Sequence, residues 1–327
     1  MTRAAANVAR AMREVAKTTA TELSSQPVTM LLILSGILMT ALIPLLHFHD
    51  FGEPGRLVRD GGLAYQLAIG TVVSVFAVSR SIHDELEDGT ALAALAKPLP
   101  RPAFLAGKWL GVMSVATKFW LATLAMTIVA ARISPRFMDL GDDGVVYVTD
   151  STAQTLALLV PVASLVAAGI LDNRRRARFC LVGVSLMLRL SLALLAATLL
   201  FDRQWRLAPS FANADLAIAT ASAPILFAIA AISAIAAALS VRLPAAAVMT
   251  AAVGIVAAGL SWDALTAFSP LLGFVPVPNI QSFWLADELS RNGAIGPAYL
   301  ALSFLHAAAI SAFAMAGGSA ALRGRDL

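Results

Sequence analysis

Long apolar runs alternate with short charged breaks along the whole chain. Runs of spanning length occupy about 27–47, 62–79, 109–131, 153–171, 181–201, 214–240, 245–261 and 296–321. Each approaches the roughly 20 residues that carry a helix across about 30 Å of hydrocarbon. The runs are continuous rather than alternating, which selects helices over barrel strands. The pattern predicts an all-α polytopic membrane protein with about eight transmembrane helices, six to eight in all. The run 245–261 is short and Ala-rich. It reads either as a re-entrant piece or as the second part of a broken helix begun at 214–240.

Composition agrees. Of 327 residues, 59% are hydrophobic and 13% charged, whereas a soluble domain has about 25% charged residues. The mean hydropathy is +0.79. The formal charge of +4 does not point to nucleic acid, because the basic residues sit in short loops where they set topology. The single cysteine, Cys180, excludes an intrachain disulfide, and no zinc spacing is present. His47, His49 and Asp50 cluster at the end of the first run. They read as interfacial polar residues, with a metal site as the lesser reading. About 26 residues precede the first run, which is longer than a signal-peptide core and has no cleavage site after it. That span is expected to remain in the mature protein.

Lys and Arg orient the spans. With the N-terminus in the cytoplasm, the inner segments are 1–26, 80–108, 172–180, 241–244 and the C-terminal tail. They hold 15 of the 24 basic residues, and the outer loops hold 7. Arg174, Arg175, Arg176 and Arg178 form the sharpest cluster. The bias places both termini in the cytoplasm. Residues 1–26 then read as an interfacial amphipathic helix, with Val8, Met12 and Val15 on one face and Arg10, Arg13, Glu14 and Lys17 elsewhere. Residues 27–327 form a single transmembrane domain. Among the outer loops, the Val-Val-Tyr-Val-Thr stretch within 132–152 predicts a short hairpin, and 262–295 carries interfacial aromatics.

The inner segment 80–108 is too polar to cross a bilayer and too patterned for a tether. Helix is expected to continue from Ser79 through Arg80, His83, Asp84, Glu85, Glu87 and Asp88, until Gly89 breaks it. Thr90 can cap a short helix, Ala91 to Ala96, with Leu92 and Leu95 on one face. Lys97 suits its last turn and Pro98 stops it. Pro100 and Pro102 stiffen the return, and Arg101 and Lys108 are expected to hold it at the headgroups. This predicts a short rigid helix between the second and third spans. It either presents itself to a soluble partner or rests on the membrane surface.

The run Glu85-Leu86-Glu87-Asp88-Gly89-Thr90, with Leu92, Leu95, Lys97-Pro98, Arg101, Phe104 and Gly107-Lys108, resembles the signature of ATP-binding-cassette type-2 permeases. These are the membrane subunits of many bacterial ABC exporters. The C-terminal Leu322-Arg323-Gly324-Arg325-Asp326-Leu327 resembles the ending common there, and the N-terminal helix resembles the family's elbow helix. Members commonly have six spans, fewer than the eight read here. The resemblance implies a permease in the bacterial cytoplasmic (inner) membrane, working as a dimer with a second copy or a paralogue. A separate cytoplasmic ABC ATPase would bind ATP and Mg. The coupling helix around Asp84 to Ala96 would engage that ATPase through Asp84, Glu85, Glu87, Gly89, Thr90, Leu92, Leu95, Pro98 and Arg101.

No G-x-x-x-x-G-K-[ST] loop occurs, and Gly107-Lys108 is followed by Trp109. The chain is therefore read as a transport subunit without cofactor or catalysis of its own. Two cations lie inside spans: Lys118 in the third and Arg189 in the fifth. Such residues usually face a protein interior or a wet cavity, so they are candidates for the substrate route or the subunit seam. For Lys118 snorkelling to the inner interface is the alternative, and for Arg189 a buried polar pair. His306 is expected in the core. An ion-gradient-driven secondary transporter using Lys118, Arg189 or His306 is the alternative function. Against it, the spans lack interior acids and no inverted repeat is evident. An intramembrane enzyme ranks lower still, because no catalytic set shares one depth.

Overall fold

A computed structural model of the chain describes residues 2–49, 55–88, 100–139, 145–175, 178–269, 278–290 and 295–324. Eleven labelled helices and one hairpin are used below. They are α1 (Thr2–Ser24), α2 (Pro27–Leu42), α3 (Arg56–Ser79), α4 (Arg101–Ile133), α5 (Ser151–Arg175), α6 (Phe179–Leu200), α7 (Ala217–Ser240), α8 (Ala245–Leu260), α9 (Trp262–Phe268), α10 (Ala286–Ser290) and α11 (Pro297–Arg323). Strands β1 (Arg136–Asp139) and β2 (Val145–Val148) pair antiparallel, Arg136 opposite Val148, which makes the hairpin that the Val-Val-Tyr-Val pattern predicts.

Among the described residues, seven helices are long and apolar enough to cross a membrane. The weakest predicted run, 245–261, behaves differently. Helix α8 stops at Leu260 and α9 leaves at 74°, so the pair is either a broken span or a re-entrant loop. It is also separate from α7, which ends at Ser240.

Helix α4 is the axis of the bundle. Its 33 residues reach about 50 Å, and α1, α2, α3, α6 and α7 all pack on it. It is apolar on every side, with Val112, Val115, Phe119, Ala122, Met126 and Val129 buried. A polar seam fixes the register of its neighbours. Gln66 of α3 donates to Thr127 Oγ1 at 3.4 Å and accepts from Ser222 of α7. Trp120 Nε1 donates to Ser222 Oγ at 2.7 Å, and Trp109 Nε1 to Ser233 Oγ at 2.9 Å. Each of these polar groups thus has a partner from a different helix, which ties α3, α4 and α7 into one body.

Helix α1 lies along the first half of α4. Its apolar stripe, Met12, Val15, Thr19 and Leu23, turns inward while Arg10, Arg13, Glu14 and Lys17 stay exposed. The close approach requires Gly107 and Gly111, one turn apart on α4. A Cβ at Gly111 would stand 2.7 Å from the Ala16 carbonyl oxygen, and one at Gly107 would stand 3.0 Å from that of Met12. The two small residues let the backbones meet.

Candidate functional site

The site begins where α3 leaves the apolar bundle. Helix continues beyond Ser79, but in two forms. Residues Arg80–Asp84 form a π-helical turn, and Glu85–Glu87 return to α-helix, so one continuous rod runs from Arg56 to Glu87. A π turn inserts one residue and so rotates the helix beyond it, and such turns recur at functional sites. The charged side chains on this rod are paired. Arg80 Nε meets Asp84 Oδ2 at 2.9 Å, and His83 Nε2 meets Glu87 Oε1 at 3.2 Å. The guanidinium of Arg80 also lies over the Phe76 ring.

The chain returns at Pro100, and α4 starts with Arg101 and Pro102. A proline in the first turn costs no hydrogen bond, because the amide it lacks would have no partner there. Arg101 donates from one guanidinium nitrogen to the carbonyls of Leu322 and Arg323, both at 3.0 Å. It therefore caps the end of α11, where the helix dipole favours a cation.

Lys108 corrects the sequence expectation. It does not reach the headgroups with Arg101 but is buried, and its ammonium pairs with Glu85 while lying over the Phe104 ring. The reason is that the α3 rod continues past Ser79 to Glu85, which sets a carboxylate against this turn of α4. The pair joins the last turn of the α3 rod to the second turn of α4. Leu86, buried beside it, completes the contact.

Of the predicted coupling residues, Asp84, Glu85, Glu87 and Arg101 are thus gathered at one end of the bundle. Gly89, Thr90, Leu92, Leu95 and Pro98 lie outside the described residues. The two cations that the sequence places inside spans separate. Lys118 is half-buried and faces α1, its ammonium 3.4 Å from Ser24 Oγ. Arg189 is exposed near the middle of α6, on a stripe with Leu192, Ala193, Ala196 and Leu200. It makes no hydrogen bond or ion pair among the described residues. His306, expected in the core, is exposed on α11, with its ring 5.8 Å from that of Phe283. The expected His47, His49 and Asp50 cluster falls outside the described side chains. Among the described residues, no group of three or more His, Cys, Asp or Glu could hold a metal ion.

One charged centre is not legible from spacing. At the opposite end of α4, Arg132 is buried, and its Nε donates to Asp150 Oδ2 at 2.9 Å. Its other nitrogens donate to the carbonyls of Thr198, Phe201 and Asp202. Asp150 accepts from Trp205 Nε1 and from the Ala153 amide, both at 2.9 Å, and so caps α5. By position alone, Arg132 counts as one more loop charge. The only sequence signal is Asp150 directly before a helix start.

Residues 39–204, half of the chain, match the model of a family described as ABC-2 family transporter protein. The matched stretch includes the paired end of α3, the start of α4, Lys118 and Arg189. No curated protein and no solved structure matches the chain.

Proposed function

Because this multi-pass membrane protein belongs to the ABC-2 transporter family, we propose that it is the permease subunit of an ABC exporter, driven by ATP hydrolysis in a separate cytoplasmic ATPase. The observation that carries this reading is the Glu85–Lys108 pair. The two described helices end at Glu87 and begin again at Arg101, and they are clamped to each other within one turn of the first point and two turns of the second. Arg101 extends the clamp to α11. A push delivered between these two helix ends would reach α3, α4 and α11 together.

In this reading Asp84, Glu85, Glu87, Gly89, Thr90, Leu92, Leu95, Pro98 and Arg101 form the seat for the ATPase. Glu85 and Arg101 brace it from within, and the leucines and exposed acids touch the partner. ATP and Mg belong to the ATPase. Coupling requires that the segment contact the two nucleotide states of the partner differently.

Arg189 supports a paired assembly. An arginine near the middle of a span costs about 2.5–3.5 kcal/mol on insertion scales when left to lipid. Within this chain nothing among the described residues compensates it. A second permease copy or a paralogue would cover this stripe of α6, or enclose with it a wet substrate route. The family pattern favours export across the bacterial cytoplasmic membrane, and the placement of Lys and Arg favours both termini inside.

The test is reconstitution with the ATPase subunit. Glu85→Ala and Gly89→Pro should leave ATP hydrolysis unlinked from transport, whether or not the ATPase stays bound. Unchanged coupling in both variants would contradict the reading, and transport driven by an ion gradient without nucleotide would replace it.

A further inference from the structure

A cationic groove runs between α1 and α4, with α6 closing one side. Its cavity is about 380 Å³. Arg13 and Lys17, one turn apart on α1, line one wall, and Lys118 lines the other with Ser114. Among the described residues, no carboxylate pairs with any of the three cations. The acids of α1, Glu14 and Glu22, do not line the groove. Apart from Thr21, whose hydroxyl donates to the Lys17 carbonyl, the remaining lining is apolar: Ala16, Ala20, Leu110, 40% exposed, and Leu181.

We propose that this groove binds the phosphate of an anionic phospholipid, with Arg13, Lys17 and Lys118 around the headgroup and Leu110 and Leu181 against its glycerol and first methylenes. Three cations around one hollow repel each other until an anion joins them. A phosphate with its several acceptor oxygens is suited to Arg and Lys converging from two walls. The apolar floor selects an amphiphile over a free ion. Depth agrees. Lys118 lies against Ser24, three residues before the first membrane span opens at Pro27, and the foot of a span is where headgroups lie. The lipid would cement α1 to α4 beside Gly107 and Gly111. Lipid binding here does not depend on an ATPase partner and stands or falls separately from the proposed function.

The test uses the full chain, delipidated in neutral detergent and titrated with short-chain phosphatidylglycerol or phosphatidylcholine, with bound lipid counted by native mass spectrometry. Phosphatidylglycerol is expected to bind more tightly than phosphatidylcholine. Each cation removed should weaken phosphatidylglycerol by about fivefold, the usual effect of a basic residue at a membrane surface. Lys118→Met keeps the packing of the stem and removes only the charge, and Arg13→Gln with Lys17→Gln alters only exposed positions. Equal binding of the two lipids, or an undiminished preference in Lys118→Met, overturns the proposal. So does inorganic phosphate binding in a Lys118-dependent way while neither lipid shows selectivity.

Discussion

Lys108, buried in the second turn of α4, pairs with Glu85 at the end of the rod that extends α3. The two residues stand on either side of the polar segment that separates the second and third spans. Their pairing converts the ends of two antiparallel helices into one mechanical unit. Removing Glu85 leaves the Lys108 ammonium, whose side chain is 6% exposed, without its counter-charge. Glu85→Leu is expected to destabilise the chain by about 3–5 kcal/mol, Lys108→Met by less because Glu85 is 26% exposed and has a further interaction, and combining the two recovers most of the larger loss. Thermal unfolding of the two single variants and the double variant measures the coupling.

The opposite end of α4 should be still less tolerant. Arg132 and Asp150 are both almost fully buried, and Arg132 also serves three carbonyls. Arg132→Met is expected to cost about 3–5 kcal/mol. Arg132→Lys should not rescue it, because an ammonium cannot satisfy a carboxylate and three carbonyls in the fork geometry of a guanidinium. Denaturation in detergent distinguishes this from a variant of an exposed arginine.

Arg189 supplies that contrast. Because it has no partner among the described residues, Arg189→Leu is expected to leave the isolated chain as stable as before, or more so. The loss should appear in the assembly, as weaker dimerisation or as lost transport in reconstituted vesicles. A stability loss comparable to that of Arg132→Met would show that Arg189 is held within its own chain.

Gly111 is set against the Ala16 carbonyl so closely that any side chain must displace α1. Gly111→Val is expected to cost about 1–3 kcal/mol, the range for overpacking, and to loosen the backbone of α1 so that trypsin cuts after Arg13 and Lys17 before the rest of the bundle opens. Limited proteolysis of the two proteins side by side reads this directly.

Much of the fold is legible in the sequence because spans are written in long continuous runs. The seven spanning helices fall on predicted runs, and the doubtful run at 245–261 is the one that bends. The helix beyond Ser79 is legible from its polar residues, but its π turn is not, since a π turn depends on how the rod packs and not on composition. For Lys108, position in a basic turn says headgroup, whereas its burial goes with the α3 rod that carries Glu85 alongside it. The Arg132 centre is hidden for a related reason. Three of its partners are backbone carbonyls of another helix end and loop, which carry no mark in the sequence. His306 goes the other way: an apolar run suggests a buried histidine, yet α11 packs mainly on α7 and leaves that face open.

If the segment between Glu85 and Lys108 receives force from an ATPase, the two proteins must touch there. Site-directed crosslinking tests it most directly. Cysteine is introduced at Leu92 in a chain whose native cysteine carries Cys180→Ser, and membranes are treated with a short thiol–amine crosslinker and a photoreactive ATP. The account predicts a crosslinked product that carries the ATP label, with a yield that changes between nucleotide-free and ATP-bound states. A labelled product formed from a cysteine beside Arg132 but never from position 92 would contradict it, because the ATPase would then sit at the wrong end of α4.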